Sequence, residues 1–187
     1  MSLARTESAE PTAPLEDAGT PGRVRRHVDP DVFRSALAAH PAGVVVITAQ
    51  DEQGPLGLTA TSFVSISLDP PLVGFLVDRS SSTWTRLQHA STLVVHLLAE
   101  EHHTLASTFA TRGIDRFGAP TNWASLTTGE PLLTDCTTWM RCLTDEVLTL
   151  GDHHLVVARV VDACIDGERA PLLYHQRGYR SVREHRA

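Results

Sequence analysis

The sequence predicts a mainly β protein, an antiparallel barrel with a few packed helices. Three observations carry this. Apolar, β-branched runs of strand length recur along the chain, among them Gly43–Ala49, Pro71–Val77 and Thr92–Leu98, and such runs read as strands. Two longer runs, Thr138–Leu150 and His153–Ile165, meet at Gly151-Asp152, a joint that suits antiparallel neighbours. Helical patterns are brief, and no alternation of strand and long helix occurs, which argues against a doubly wound sheet.

Taken in order, residues 1–26 hold Pro11, Pro14, Pro21, Gly19 and Gly22 and no aromatic side chain. Such a composition buries too little to order itself, so a disordered tail is expected there and one folded domain over 27–187. The tail closes on the basic cluster Arg23–His27, read as solvated charge. Asp29 suits a helix N-cap and Pro30 the first helical position. Val32, Phe33, Ala36 and Leu37 then form the apolar stripe of a short helix ending near His40-Pro41. After the strand Gly43–Ala49 comes a turn at Asp51–Gly54. The segment from Gly57 returns as a second strand, giving a hairpin or meander over Gly43–Phe63, and Pro71–Val77 is the third. Ser80–Thr83 opens a helix to about His89 with Trp84 and Leu87 inward. Thr92–Leu98 is the fourth strand. Glu101–Ala110 reads as a helix with Leu105, Ala106 and Phe109 on one side. Residues 112–131, with Arg112, Asp115, Arg116, Phe117 and Trp123, read as irregular. The two long strands follow, then a short one at Leu172–Tyr174 with Tyr179 just beyond. No internal repeat is present.

Composition narrows the chemistry. At 187 residues, 42% hydrophobic and 20% charged, the chain fits one soluble domain. A net charge of −6 gives no bulk attraction to nucleic acid or to an anionic membrane. All 16 basic residues are Arg. Without Lys, pyridoxal-phosphate and lysine-dependent aldol chemistry are excluded, and so is a P-loop. Any phosphate must be held by Arg, hydroxyls or backbone N–H groups. Cys136, Cys142 and Cys164 show no C-x-x-C spacing, so neither a disulfide framework nor a zinc or other metal site is expected. The N-terminus has no apolar signal-like core and no apolar run reaches membrane-spanning length; the expectation is a cytoplasmic protein. The G-x-G-x-x-G, G-x-S-x-G and H-E-x-x-H motifs are absent.

Three segments carry candidate chemistry. Between Gly57 and Pro71 lie the hydroxyls of Thr59, Thr61, Ser62, Ser65 and Ser67, and alternation puts Thr59 and Thr61 on one strand face. Such a segment offers N–H groups and hydroxyls to an anion or a heteroaromatic ring, and no strong acid, base or nucleophile; it reads as a cofactor shelf. Arg79-Ser80-Ser81-Ser82-Thr83, where a strand meets a helix, reads either as a phosphate cradle or as simple N-capping. Gly151-Asp152-His153-His154 offers two imidazoles, the side-chain type suited to proton exchange around neutral pH, pointing to opposite strand faces; an exposed polar hairpin is the alternative. His102 and His103 diverge in the same way on a helix. Cys142 reads as core, Trp84 and Trp139 as core or interface anchors, and Trp123 as either.

Several of these segments, in order and spacing, resemble the flavin reductase-like, FMN-binding split-barrel family. They are Phe33-Arg34 with Pro41–Thr48, Gly57–Phe63 with Ser67–Leu72, Ser82-Thr83-Trp84, Leu105-Ala106 with Phe109-Ala110, Arg116-Phe117, Gly151-Asp152-His153, and Pro171–Tyr174 with Gly178-Tyr179. The resemblance spans about residues 30–182. It implies a small homodimer on a six-stranded antiparallel split barrel of Greek-key type. It also implies an oxidoreductase that takes hydride from NADH or NADPH, reduces FMN or FAD, and releases the reduced flavin to a separate monooxygenase. By the same resemblance Gly57, Leu58, Thr59, Thr61 and Ser62 line the flavin ring and ribityl chain. Arg79, Ser80, Ser81, Ser82 and Thr83 hold its phosphate region, Phe109, Ala110, Arg116 and Phe117 close the site, and His153 lies next to the nicotinamide. Two other readings stand beside it: a tightly held FMN acting directly on an organic substrate, and a non-catalytic flavin- or heme-binding module. The residues do not choose between FMN and FAD or between NADH and NADPH, nor do they name the partner.

Overall fold

In the computed structural model, which describes residues 27–182, the run from Gly57 to Pro71 is not one strand. It breaks at Thr61–Phe63 into β3 (Gly54–Ala60) and β4 (Val64–Leu68), and these form the two opposite edges of a seven-stranded antiparallel sheet. Between them, in spatial order from β3, lie β2 (Val45–Asp51), β6 (Thr92–Leu97), β9 (Thr138–Leu150), β10 (His153–Ile165) and β5 (Pro71–Asp78). Laid flat, six strand spacings would separate the edges by about 29 Å. The link from Ala60 to Val64 reaches at most about 14 Å. The sheet therefore curls until its edges nearly meet, which is the split barrel. The mainly β, antiparallel class is as expected; the ladder counts seven strands because the hydroxyl-rich run serves both edges.

Two small sheets complete the fold. β1 (Ala42–Gly43) pairs with β11 (Leu172–His175), which pairs with β12 (Gly178–Ser181); β7 (Trp123–Ser125) pairs with β8 (Pro131–Leu133). Thus the stretch expected to be irregular holds β7 and leads into a short hairpin, and Tyr179 lies on a strand of its own. The helix expected over Glu101–Ala110 begins as a 3₁₀ turn at Glu100–His102 and continues as α3 (His103–Ala110). The helix expected to reach His89 shrinks to the single turn α2 (Trp84–Leu87), with Trp84 and Leu87 buried as expected. The expected tail at 1–26 lies outside the described residues.

Strand β2 shows why its sequence is apolar throughout. Val45, Ile47 and Ala49 face the barrel interior with Phe75, Leu93, Val95, Cys142 and Val156. Val46, between them, faces a second cluster with Ala106, Phe109, Leu133 and Leu172. A strand covered on both faces loses the polar alternation of a half-solvated one. Helix α1 (Pro30–Ala38) departs from its sequence pattern. Asp29 caps it as expected, accepting from Asp31 N–H at 2.8 Å, but Val32, Phe33 and Leu37 stay 58%, 53% and 53% exposed. The buried cysteines are inert: burial pushes the Cys136 and Cys142 thiols up to about 12. Among the described residues no helix is long and apolar enough to cross a membrane.

One buried polar group pins the two layers together. His96 on β6 donates from Nδ1 to the Val46 carbonyl at 3.2 Å and accepts at Nε2 from Leu133 N–H at 3.0 Å. Both nitrogens are satisfied only in the neutral tautomer, and burial pushes the imidazole down to about 4. An unfolded chain binds that proton near 6.5, so the contribution is present above 6.5 and is lost as pH falls towards 4. Urea unfolding should therefore show about 2 kcal/mol less stability at pH 5 than at pH 7 from this group. His96→Gln should flatten that part of the slope, whatever its cost at pH 7; an unchanged slope would remove His96 as its source.

Candidate functional site

The outer face of β3 is built to receive α3. A Cβ on Gly57 would stand 2.7 Å from Phe109 Cε1 and 2.8 Å from the Ile47 carbonyl oxygen, so only glycine lets the Phe109 ring lie on the strand. Two residues on, the Thr59 hydroxyl donates to the Ala106 carbonyl at 2.6 Å. Phe109 then seats the following loop. Phe117 meets it edge-on at 5.2 Å between ring centres, Trp123 meets Phe117 at 5.3 Å, and Trp123 Nε1 donates to the Phe117 carbonyl at 3.0 Å. Such edge-to-face pairs add about 0.5–1.5 kcal/mol each beyond their buried area.

Arg116 ties this assembly to the barrel. Its Nη1 donates to the Gly57 carbonyl at 3.1 Å and to Thr83 Oγ1 at 3.0 Å, while Nε and Nη2 both donate to the Thr111 carbonyl, at 3.1 and 2.7 Å. One planar fork thus joins β3, the segment before α2 and the end of α3. All its partners are neutral, and among the described residues no carboxylate stands within ion-pair distance. Burial, with nothing to offset it, pushes the guanidinium pKa down.

Two clefts open on either side of Arg116, and Ser82, Thr83 and Arg116 line both. The first, of about 350 Å³, has Pro55, Leu56, Gly57, Ile114 and Phe117 as walls and Arg86 and Asp115 at its rim. The second, of about 210 Å³, runs between β3 and the end of β5. Leu58 and Thr59 lie on one side, Leu76, Val77 and Asp78 on the other, and Ser81, Phe109, Ala110 and Arg112 close it. The expected residues Gly57, Leu58, Thr59, Ser81, Ser82, Thr83, Phe109, Ala110, Arg116 and Phe117 are thus brought to one place.

Five others line neither cleft. Thr61 and Ser62 fall on the link, because β3 ends at Ala60. The Ser62 hydroxyl accepts from Leu76 N–H at 2.9 Å and donates to the Leu76 carbonyl at 3.2 Å; it completes the edge of β5. Arg79 faces the β9–β10 turn, donating to the Gly151 carbonyl at 3.3 Å. Ser80 is spent on Asp78, to which it donates from both N–H and hydroxyl at 2.7 Å. The single-turn α2 provides no helix-terminus cradle. His153 is the ladder partner of Asp78; paired residues share a face, so it stands at the rim of the second cleft. Its Nδ1 donates to Asp152 at 2.7 Å, and among the described residues Nε2 has no hydrogen-bond partner. His154, on the opposite face as expected, stacks on Trp84 at 4.9 Å.

Sequence reasoning assigned no role to Asp78, Arg112, Arg86 or Ile114. Hydrogen bonds from the Ser80 hydroxyl and N–H hold the Asp78 carboxyl below its ordinary range, helped by His153 and Arg112. Its place as a charge closing an apolar strand was a readable signal. Arg86 pairs with Asp51, 35 residues away, through Nε at 2.7 Å, and that bond first of all pulls the Asp51 carboxyl down to about 2. No local pattern announces such a pair. Arg116→Lys keeps the charge and loses the fork. It should lower the urea-unfolding stability by roughly 1–3 kcal/mol through unpaired carbonyls; an unchanged midpoint would show the clamp to be idle.

Comparison with known proteins identifies the family. The family model described as "Flavin reductase like domain" matches residues 37–183. An NADH:FMN oxidoreductase of Rhodococcus erythropolis is 43% identical over 180 residues, covering 85% of this chain and 94% of that protein. The reductase subunit HsaB of a flavin-dependent monooxygenase from Rhodococcus jostii is 32% identical over 155 residues, covering 83% and 79%. Among solved structures, the NADH:FAD oxidoreductase SgcE6 of Streptomyces globisporus, in complex with NAD and FAD fragments, superposes with a TM-score of 0.78 at 28% identity. The match covers 84% of this chain and 97% of that one. The chain belongs to the flavin reductase-like family and is a flavin reductase, an oxidoreductase.

Proposed function

We propose that the chain passes hydride from NADH or NADPH to FMN or FAD bound in the second cleft, and that the reduced flavin is handed to a separate monooxygenase. The observation that carries this is the uncompensated Arg116 charge set between apolar, ring-sized walls. It suits a ligand with an anionic tail and a flat body, and the donor set at the shared wall fits a flavin phosphate. A bound flavin supplies the hydride-accepting chemistry itself; the chain supplies position. Leu58, Leu76 and Phe109 exclude water. Arg116 with the hydroxyls of Ser82 and Thr83 faces the anionic part. The Thr59 proton is committed to Ala106, so this hydroxyl offers a lone pair to a ligand N–H and no proton. Ser62 acts at one remove, by holding Leu76 in the wall, with Thr61 beside it. His153, its ring fixed by Asp152, presents Nε2 at the rim, where the nicotinamide would approach. The names of the similar proteins make NADH with FMN the first pair to test.

A homodimer belongs to the same reading. Val64, Ile66 and Leu68 on β4, and Val147, Leu148 and Leu150 on β9, leave apolar surface uncovered on one chain, as an interface does. Light scattering should give twice the chain mass. The free thiols of Cys136, Cys142 and Cys164 suit a reducing cytoplasm.

The purified chain should oxidise NADH or NADPH only when FMN or FAD is added; no oxidation with any flavin would sink the proposal. A yellow protein that keeps its flavin through dialysis would instead favour a resident FMN acting on an organic substrate. His153→Ala should raise KM for the nicotinamide at least tenfold and that for flavin less than twofold. Equal effects on both would contradict the assigned place.

A further inference from the structure

We propose that Glu130 is a positioning residue: its buried carboxylate fixes the register of the β7–β8 hairpin, and through Trp123 and Phe117 that register sets the Arg116 wall shared by the two clefts. The consequence for ligand binding rests on the reading of the second cleft as the flavin site. Glu130 itself lines neither cleft. Among the described residues five polar or charged side chains are buried, and Thr48, His96 and Glu130 are three of them. All three act on β8 or the residue before it. The Thr48 hydroxyl donates to the Pro131 carbonyl, and His96 accepts from Leu133 N–H at 3.0 Å. Glu130 Oε1 accepts from Arg141 Nε on β9 at 2.8 Å. Its second oxygen accepts from the Thr128 hydroxyl in the turn, and its carbonyl accepts from Leu126 N–H at 2.9 Å.

Glu130 is 1% exposed. An ion pair at that depth adds little net stability, because the loss of hydration offsets the attraction; what it supplies is one permitted arrangement. Register is the arrangement at stake. Trp123 pairs with Leu133 and Ser125 with Pro131, and paired residues share a face. Leu133 is fully buried, and Trp123 packs against the same cluster. A slip of one residue would turn Trp123 to the other face. It would then lose Phe117, whose ring it meets at 5.3 Å and whose carbonyl its Nε1 holds at 3.0 Å. Phe117 follows Arg116 directly, so the wall would shift with it.

Two variants of the full-length chain separate placement from stability, each measured well below its melting temperature. Glu130→Gln leaves Arg141 buried and unpaired, so it should melt lower. The paired change Glu130→Leu with Arg141→Met removes both charges, and its melting temperature should return towards wild type. It also removes the pin, and it carries the test if Glu130→Gln does not fold. In the paired variant, amide hydrogens of residues 114–125 should exchange about tenfold faster while those of β5 and β10 keep their rates. Its FMN dissociation constant, read by titration, should stay about fivefold above wild type. Unchanged exchange in 114–125, or an FMN affinity that recovers together with the melting temperature, overturns the proposal. Faster exchange in 114–125 of a chain whose wild type binds no FMN would retain the placement of the wall and reject the flavin reading.

Discussion

The fold turns on three residues. Thr61–Phe63 must connect the two edges of a seven-stranded sheet, and the sheet can satisfy so short a link only by closing on itself. Closure is incomplete: β3 and β5 approach without forming a ladder. The Ser62 hydroxyl takes up both backbone groups of Leu76 in place of a missing strand. The second cleft lies in that gap, with Leu58 and Thr59 on one lip and Leu76 to Asp78 on the other. The proposed binding site is thus the place where backbone pairing runs out, and a groove there requires no loss of packing from the barrel interior.

Around that gap the chain spends its close contacts on fixing a floor and a wall. Gly57 admits Phe109 to the strand surface, Thr59 fastens α3, and Arg116 reaches from the loop to β3 and Thr83. The aromatic sequence Phe109, Phe117, Trp123 then orders a stretch with little regular structure. Rigid placement of this kind lowers the cost of ordering a ligand. It suits a reaction in which the protein contributes position rather than an acid or base.

Much of this was legible in the residues. The antiparallel class, the tight joint at Gly151-Asp152 and the inward Trp84 and Leu87 follow from periodicity and turn chemistry, and most cleft residues from the family resemblance. What was not legible depends on distance. The break after Ala60 hides inside an apolar, hydroxyl-rich run that reads equally well as one strand. Ser62, Arg79 and Ser80 carry the right chemistry for a ligand, but each is committed to a nearby backbone or carboxylate group that no spacing rule identifies. The apolar stripe of α1 promised a buried face, yet the single chain leaves it open. Arg86 and Asp51 meet only because the barrel closes.

The Arg116 fork has a consequence for how the two clefts behave together. One guanidinium forms part of the wall of both, and one positive charge can be neutralised only once. An anion bound on either side reduces the field felt on the other, so the occupancies are thermodynamically linked, and by the same factor in both directions. A single side chain can thereby impose an order of arrival and departure on two ligands without any change in the shape of the barrel.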